Sequence, residues 1–320
     1  MRVAVLDLGT NVFNLLLADF TESGCEYIKE FKCAAKLGAG GLSSGKISEA
    51  AFGTAALAME RILNEIKKAG GADRIVPYAT SAVRDAKNGT EFVKFMHDRF
   101  GLDVQVIPGE REAELIFKGI MQSLSEQFPQ QLEKCAEDGE KILMLDIGGG
   151  SNELIISDGE RILWKRSFPI GMARMREKFQ YEDPIGAEVI ADFEAYCNQV
   201  LQPLYEEIDR YRPTVFVGSS GSFDTFKDLI FGLDAPKVPC MVIPADKLEQ
   251  MHNVLVNSTS QQRLAMPGMS PIRVDYIVLA SVFTQLVLRK INHRVIYQSD
   301  YSLKEGGMAE LYKEFVGKNK

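Results

Sequence analysis

Residues 3–19, VAVLDLGTNVFNLLLAD, align without a gap on residues 142–158, ILMLDIGGGSNELIISD. Asp7 falls on Asp146, Gly9 on Gly148, Leu15 on Leu154 and Asp19 on Asp158. Each copy reads as a buried β-strand, an acid, a glycine loop and a second buried strand. Glycines in the loop let the backbone turn tightly and bring its N–H groups close to a ligand. An acid at the end of a strand, with a serine after the glycines, suits a phosphate and its Mg²⁺. A hairpin turn would explain either copy alone. Two unrelated turns have no reason to share an acid at the same register, so the repeat implies an internal duplication with two phosphate loops facing a shared cleft.

The 320 residues exceed the usual size of a single core, so two domains are expected. The polar stretch 124–140, LSEQFPQQLEKCAEDGE, is the natural crossover, placing the boundary between residues 124 and 125. No apolar run approaches the roughly 20 residues that span a bilayer, and Asp7 interrupts the N-terminus too early for a signal peptide. The five cysteines are odd in number, scattered and without CxxC spacing. They read as free thiols in a reducing compartment, which points to the cytoplasm. A net charge of −7 argues against general nucleic-acid binding. For an anionic ligand, the positive charge must be local.

Periodicity places helices at Ile47–Lys68, Thr90–Phe100, Glu112–Ser123, Met172–Phe179, Pro184–Asp209 (interrupted at Pro203), 244–264, Val274–Lys290 and Leu303–Phe315. Strands are expected at Leu15–Asp19, Glu26–Cys33, Ile75–Ala79, Val104–Ile107, Ile162–Ser167, Val215–Val217 and Arg294–Tyr297, with a glycine–serine loop at Lys36–Gly45. Strands and helices alternate, so the fold class is α/β with mixed sheets in two related halves. The strongly apolar helix 274–290 suits the core or a homodimer contact.

Thr10, Asn11 and Asn14 follow Asp7 and offer hydroxyl and amide groups to phosphate oxygens without adding charge. Arg84 follows a strand at its C-terminal end, where open α/β sheets place ligands, and its guanidinium offers a bidentate fork. Glu110, Glu112 and Glu114 share the first turn of a helix after Pro108-Gly109; one of them, facing phosphate, would deprotonate a water. Spacing alone does not choose among the three. Asp146 and Glu153 flank the second loop and suit a Mg²⁺ kept mostly hydrated; Mn²⁺ takes the same hard oxygen ligands. His97, His252 and His293 have no metal-ligand spacing. Gly218–Gly221 and Lys304–Gly307 are weaker signals that fit a cleft lining or a helix cap.

These pieces, in this order, resemble the exopolyphosphatase / guanosine pentaphosphate phosphohydrolase (Ppx/GppA) family, of the actin, hexokinase and heat-shock-chaperone ATPase superfamily. The matching stretches are DLGTNVFNLLL, KLGAGGLSSGKIS, ATSAVRDAKNG, IPGEREAELIFKGI, DIGGGSNELII, FPIGMARMRE and SDYSLKEGGMAEL. The resemblance implies two ribonuclease-H-like domains facing a central cleft, with a C-terminal helix, about residues 301–320, packing back on a first domain of residues 1–124. Residues 125–300 would form the second. It implies Glu112 as the catalytic base, Asp146 and Glu153 towards Mg²⁺, and Gly148, Gly149, Gly150 and Ser151 holding phosphate and the attacking water. Thr10, Asn11 and Arg84 would bind phosphate. The implied reaction is release of terminal orthophosphate from inorganic polyphosphate, an EC 3.6.1-class hydrolysis. The alternatives are attack on the 5′ end of pppGpp at the same site, a kinase-like ATPase, or a non-catalytic sensor. Longer members carry an added helical region that this sequence lacks, a surface used for long polyphosphate. The first loop reads Gly-Thr-Asn where Gly-Ser-Asn is commoner, and GSSGS at Gly218 is poorer in glycine than the superfamily's nucleotide-contacting GxGGT.

Overall fold

The chain opens with a hairpin: β1 (Arg2–Leu8) turns through Gly9–Asn11 into β2 (Val12–Thr21), and β3 (Gly24–Ala34) extends the antiparallel meander. The computed structural model describes residues 1–41 and 44–318. Leu42 and Ser43 of the expected Lys36–Gly45 loop, and the last two residues of the expected C-terminal segment, lie outside the described residues. Helix α1 (Glu49–Lys68) starts at Ser48, whose side chain accepts from the Ala51 N–H, and carries Lys67 and Lys68 in its last turn. Both charges complement the helix dipole. Strand β4 (Arg74–Ala79) then joins β1 in parallel, followed by α2 (Ser81–Arg84), α3 (Gly89–Phe100) and the short parallel strand β5 (Gln105–Val106). Helix α4 (Gly109–Gln127) begins earlier than its apolar periodicity indicates, because Pro108 O accepts from the N–H groups of Arg111 and Glu112.

Helix α5 (Pro129–Glu137) occupies the polar stretch expected as the crossover. Only Gln131 and Cys135 of it are buried, so its sequence carries almost no apolar stripe. A second meander follows: β6 (Ile142–Ile147), β7 (Asn152–Ser157) and β8 (Ile162–Phe168). Next come α6 (Met172–Lys178), α7 (Ala187–Val200), α8 (Gln202–Tyr211), β9 (Val215–Ser219) and α9 (Ser220–Phe231). The expected helix Pro184–Asp209 is thus two helices, with Pro203 accommodated in the first turn of the second, where its missing N–H is not needed. Strand β10 (Cys240–Val242) precedes α10 (Ala245–Val256) and α11 (Ser260–Leu264), which are separated by a capping box at Thr259 and Gln262. Helix α12 (Ile277–Leu288), strand β11 (Val295–Ser299) and helix α13 (Leu303–Lys318) complete the chain.

By contact the chain divides into two units, residues 1–119 with 302–320, and residues 120–301. The division falls inside α4, ahead of the expected boundary at 124/125. The sheet of the first unit runs β3-β2-β1-β4-β5, and that of the second runs β10-β11-β9-β6-β7-β8. Strands β6, β7, β8, β9 and β11 therefore repeat the order and the parallel or antiparallel sense of β1 to β5, and β10 is added antiparallel at one edge. The duplication read from the loops extends through the sheets. Strands β1 and β6 are buried on both faces, which explains why they read as unbroken apolar runs. Helix α12 is buried except at Gln285, so its apolar surface is spent within the second unit's core.

In the first unit α13 lies against α4 through glycine. A Cβ on Gly306 would meet the Leu115 carbonyl oxygen at 1.8 Å, and one on Gly119 would meet that of Ser302 at 2.1 Å. At the N-terminus of α13, buried Glu305 accepts from the Ser302 N–H and pairs with Lys304. The KEGG stretch is thus a packing device that fixes the helix carrying Glu112. Gly306→Ala is expected to lower stability by about 2 kcal/mol, the scale of overpacking a close contact. Gly317→Ala, with nothing within 4 Å of its Cβ, is expected to be neutral or slightly stabilising. Thermal melts of the two variants check this.

Candidate active site

The loop between β6 and β7 is closed by a hydrogen bond from the Gly148 N–H to the Ser151 carbonyl, 3.1 Å. A Cβ on Gly148 would lie 2.5 Å from that oxygen, so the turn admits only glycine. The loop's own carbonyls are taken by α6. Gly148 O accepts from Met172 N at 2.9 Å, and Gly149 O accepts from the backbone N–H groups of Ala173 at 2.9 Å and Arg174 at 3.2 Å. Gly150 O accepts from Gly171 N at 3.2 Å and from Arg174 Nε at 3.1 Å. With the carbonyls turned towards α6, the N–H groups of Gly149, Gly150 and Ser151 make no hydrogen bond among the described residues. Successive inward N–H groups form a nest suited to a phosphate oxygen. Gly171 must be glycine for the same close approach, since its Cβ would lie 2.4 Å from Gly150 backbone.

The turn sets the register that pairs Asp146 with Glu153 across β6 and β7. Directly opposed residues share a face of the sheet, with Cβ atoms about 4.5–5.5 Å apart. Asp146 is 6% exposed and accepts from Ser219 Oγ at 2.8 Å. Glu153 is 1% exposed and accepts from Ser151 Oγ at 2.8 Å and Ser167 Oγ at 2.6 Å. Neutral hydroxyls orient both carboxylates without discharging them. The pair is an all-oxygen donor set fit for a hard divalent ion that keeps most of its waters. No group of three or more His, Cys, Asp or Glu side chains that would cage a metal occurs among the described residues.

The first loop repeats this construction. Gly9 N donates to Val12 O at 3.1 Å, and the carbonyls of Thr10 and Asn11 are held by the backbone N–H groups of Gly38, Ala35 and Lys36. Buried Thr10 sits with its hydroxyl 3.3 Å from Ser81 Oγ, and Asn11 is half-buried. At the position of Glu153 this copy has Asn14, whose amide donates to Asp7 Oδ2 at 2.8 Å. The acid pair is therefore confined to the second copy.

Of the three glutamates opening α4, Glu110 is exposed, Glu114 half-buried and Glu112 only 7% exposed. Glu112 Oε2 accepts from Arg84 Nη1 at 2.7 Å, and the same nitrogen donates to Ile107 O at 3.2 Å. Arg84, expected as a phosphate ligand, is thus first an orienting partner of Glu112, placed by α2 at the end of β4. Arg174 was not singled out by the sequence. It lies one helical turn after Gly171, and only the loop's folded carbonyls reveal it. In the weaker GSSGS signal, Gly218 is required by the Phe223 ring, 2.1 Å from a Cβ there. No described helix is long and apolar enough to cross a membrane.

Residues 17–315 match the model of the Ppx/GppA phosphatase family. Exopolyphosphatase 2 of Mycobacterium tuberculosis is 26% identical over 305 residues, covering 92% of this chain and 92% of that protein. Exopolyphosphatase 1 of the same organism is 24% identical over 310 residues, 96% of this chain and 87% of its own length. The crystal structure of an exopolyphosphatase from Cytophaga hutchinsonii superposes with a TM-score of 0.91 at 32% identity, covering 98% of each chain. An Aquifex aeolicus member of the Ppx/GppA family shares the fold, with a TM-score of 0.75 at 22% identity over 100% of this chain and 99% of that one.

Replacing Arg84 by Met leaves the Glu112 carboxylate largely buried without its guanidinium, an expected loss of about 3 kcal/mol. In the double variant with Glu112→Gln, much of that loss is expected to return, because no charge is left stranded. A double-mutant cycle by denaturant unfolding measures the coupling.

Proposed function

Because this chain belongs to the Ppx/GppA phosphatase family, we propose that it is a phosphohydrolase that releases terminal orthophosphate from inorganic polyphosphate. The observation that carries the reading is Glu112, the one buried glutamate of its turn, with its carboxylate held by Arg84. A carboxylate so oriented suits a general base for water. The relatives and the Cytophaga structure described as exopolyphosphatases support polyphosphate as the substrate.

In this reading a water oxygen bonds to the terminal phosphorus as the bridging P–O bond breaks. The electron pair leaves with the bridging oxygen, and the water's proton passes to Glu112. The N–H groups of Gly149, Gly150 and Ser151 hold the oxygens of a phosphoryl group, with Gly148 closing the turn. Thr10 and Asn11 add neutral donors. Arg84 orients the base and brings positive charge to the substrate. Catalysis is then chiefly positioning and charge stabilisation. Asp146 and Glu153 would hold Mg²⁺, or Mn²⁺ in its place, which when bound supplies positive charge to phosphoryl oxygens. The five free thiols support a reducing, cytoplasmic setting.

Orthophosphate release with Mg²⁺ is measured from short polyphosphate, long polyphosphate and pppGpp. Glu112→Gln is expected to lower kcat on polyphosphate by roughly 10²- to 10⁴-fold while the fold is retained. A wild-type preference for pppGpp would move the function to that nucleotide on the same residues. Absence of release from all three substrates would overturn the hydrolase reading.

A further inference from the structure

Glu112 stands in the first turn of α4, where a helix frays most readily because its N–H groups lack partners within the helix. Two backbone bonds to Pro108 O close that turn, and Arg84 holds the Glu112 carboxylate from the side of α2. Arg84 reaches only the tip of the side chain. The turn itself is gripped from another direction. Arg111, the preceding residue, lies about 100° round the helix from Glu112, and its Nη2 donates to Glu310 of α13. Lys118 Nζ donates to the other oxygen of the same carboxylate. Arg111 and Lys118 stand two turns apart and share one face of α4. A single acid on α13 thus spans two turns of the helix that carries Glu112.

Arg111 is steadied further by Glu114, one turn on, at 3.2 Å. The Arg111 and Glu310 side chains are 30% and 25% exposed, so the network is screened less than an open surface pair. Burial raises the Glu310 pKa, but hydrogen bonds from Arg111 and Lys118 outweigh it and hold the carboxyl below its ordinary range. The hydrogen bond to Glu310 in turn raises the Arg111 guanidinium. Neighbouring contacts leave α13 no slack. Gly306 and Gly119 let the two helices meet at backbone distance, and a Cβ on Gly307 would lie 3.0 Å from the Tyr78 ring of β4. A second ion pair of α13, Glu314 with Arg74 at 3.6 Å, is half exposed on both sides and joins the helix to β4 instead of α4.

We propose that Glu310 is a positioning residue for the reaction, acting through Arg111 and Lys118 to hold the first turn of α4 so that the Glu112 carboxylate meets its water. The proposal rests on the reading of Glu112 as the general base. It adds that the base has two holds: Arg84 on the carboxylate, and Glu310 on the turn that bears it.

The full chain is assayed for orthophosphate release from tripolyphosphate with Mg²⁺, with melting temperature as the check on folding. Glu310→Gln keeps the size of the side chain and removes its charge. It is expected to lower kcat roughly 5- to 50-fold, the scale of a small misplacement of a catalytic group, with KM within about twofold of wild type. Arg111→Gln is expected to reproduce that loss, and the double variant to lose little more than either alone. Glu314→Gln is expected to match wild type, since a half-exposed pair contributes little. In a Glu112→Gln background, Glu310→Gln is expected to cost nothing further, because the base it positions is gone. Wild-type kcat in Glu310→Gln would overturn the proposal and leave Glu112 as the base. An equal fold-loss from Glu310→Gln with and without Glu112 would make Glu310 a general support of the fold, and also overturn it. The same kcat loss in Glu314→Gln would do so too. Wild-type kcat in Glu112→Gln would overturn the base reading itself, and the role of Glu310 with it.

Discussion

The hydrogen bond from the glycine amide to the carbonyl three residues on, Gly148 N to Ser151 O and its copy Gly9 N to Val12 O, governs what the two loops present. It closes the β-hairpin at one length and so fixes the register of β1 on β2 and of β6 on β7. Strand side chains alternate faces, so a slip of one residue would carry Glu153 to the face opposite Asp146. It would also turn the loop's N–H groups away from a ligand. The Cβ that Gly148 lacks is what permits the bond. One absent methyl group thus decides the orientation of three amides and two carboxylates.

Duplication supplied the frame, and the two copies have since diverged within the loop and after it, Thr10, Asn11 and Asn14 standing where the second copy has Gly149, Gly150 and Glu153. In the first unit Asp7 faces Asn14 and accepts its amide hydrogen. In the second, Asp146 faces Glu153, and each carboxylate is satisfied by serine hydroxyls. Two buried acids directly opposed repel each other unless a cation sits with them. The divalent ion proposed for the pair would offset that cost. The first copy has relieved it with an amide and keeps only the shape of the loop.

The alternating α/β order, the repeated loops and most helices were legible because each rests on a local rule: a glycine turn, an apolar period, a cap. Helix α5 was read as a crossover because its apolar face amounts to little more than Cys135. Strand β10 left no signal, being three residues at a sheet edge with only Cys240 buried. At the site, the glycines and acids declared themselves by their repeat, whereas the spacing of Glu110, Glu112 and Glu114 left the base undecided among them. Burial separates the three, and burial depends on how α4 seats against α13 through Gly119 and Gly306. Arg174 was invisible for a related reason. It acts through a backbone contact, to Gly150 O, that exists only after distant segments meet.

A chain of net charge −7 that is to take a polyanion, as proposed above, must keep its positive charge local. Around the second loop it does so with the Arg174 guanidinium seated at Gly150 O, and with amide N–H groups that carry no net charge. Lysine would serve poorly in such a seat. Its point charge needs hydration on all sides, while the flat guanidinium stacks on backbone and still offers an edge of donors. For the anionic substrate proposed above, groups held in place beforehand would offset the overall repulsion with no side-chain ordering charged against binding.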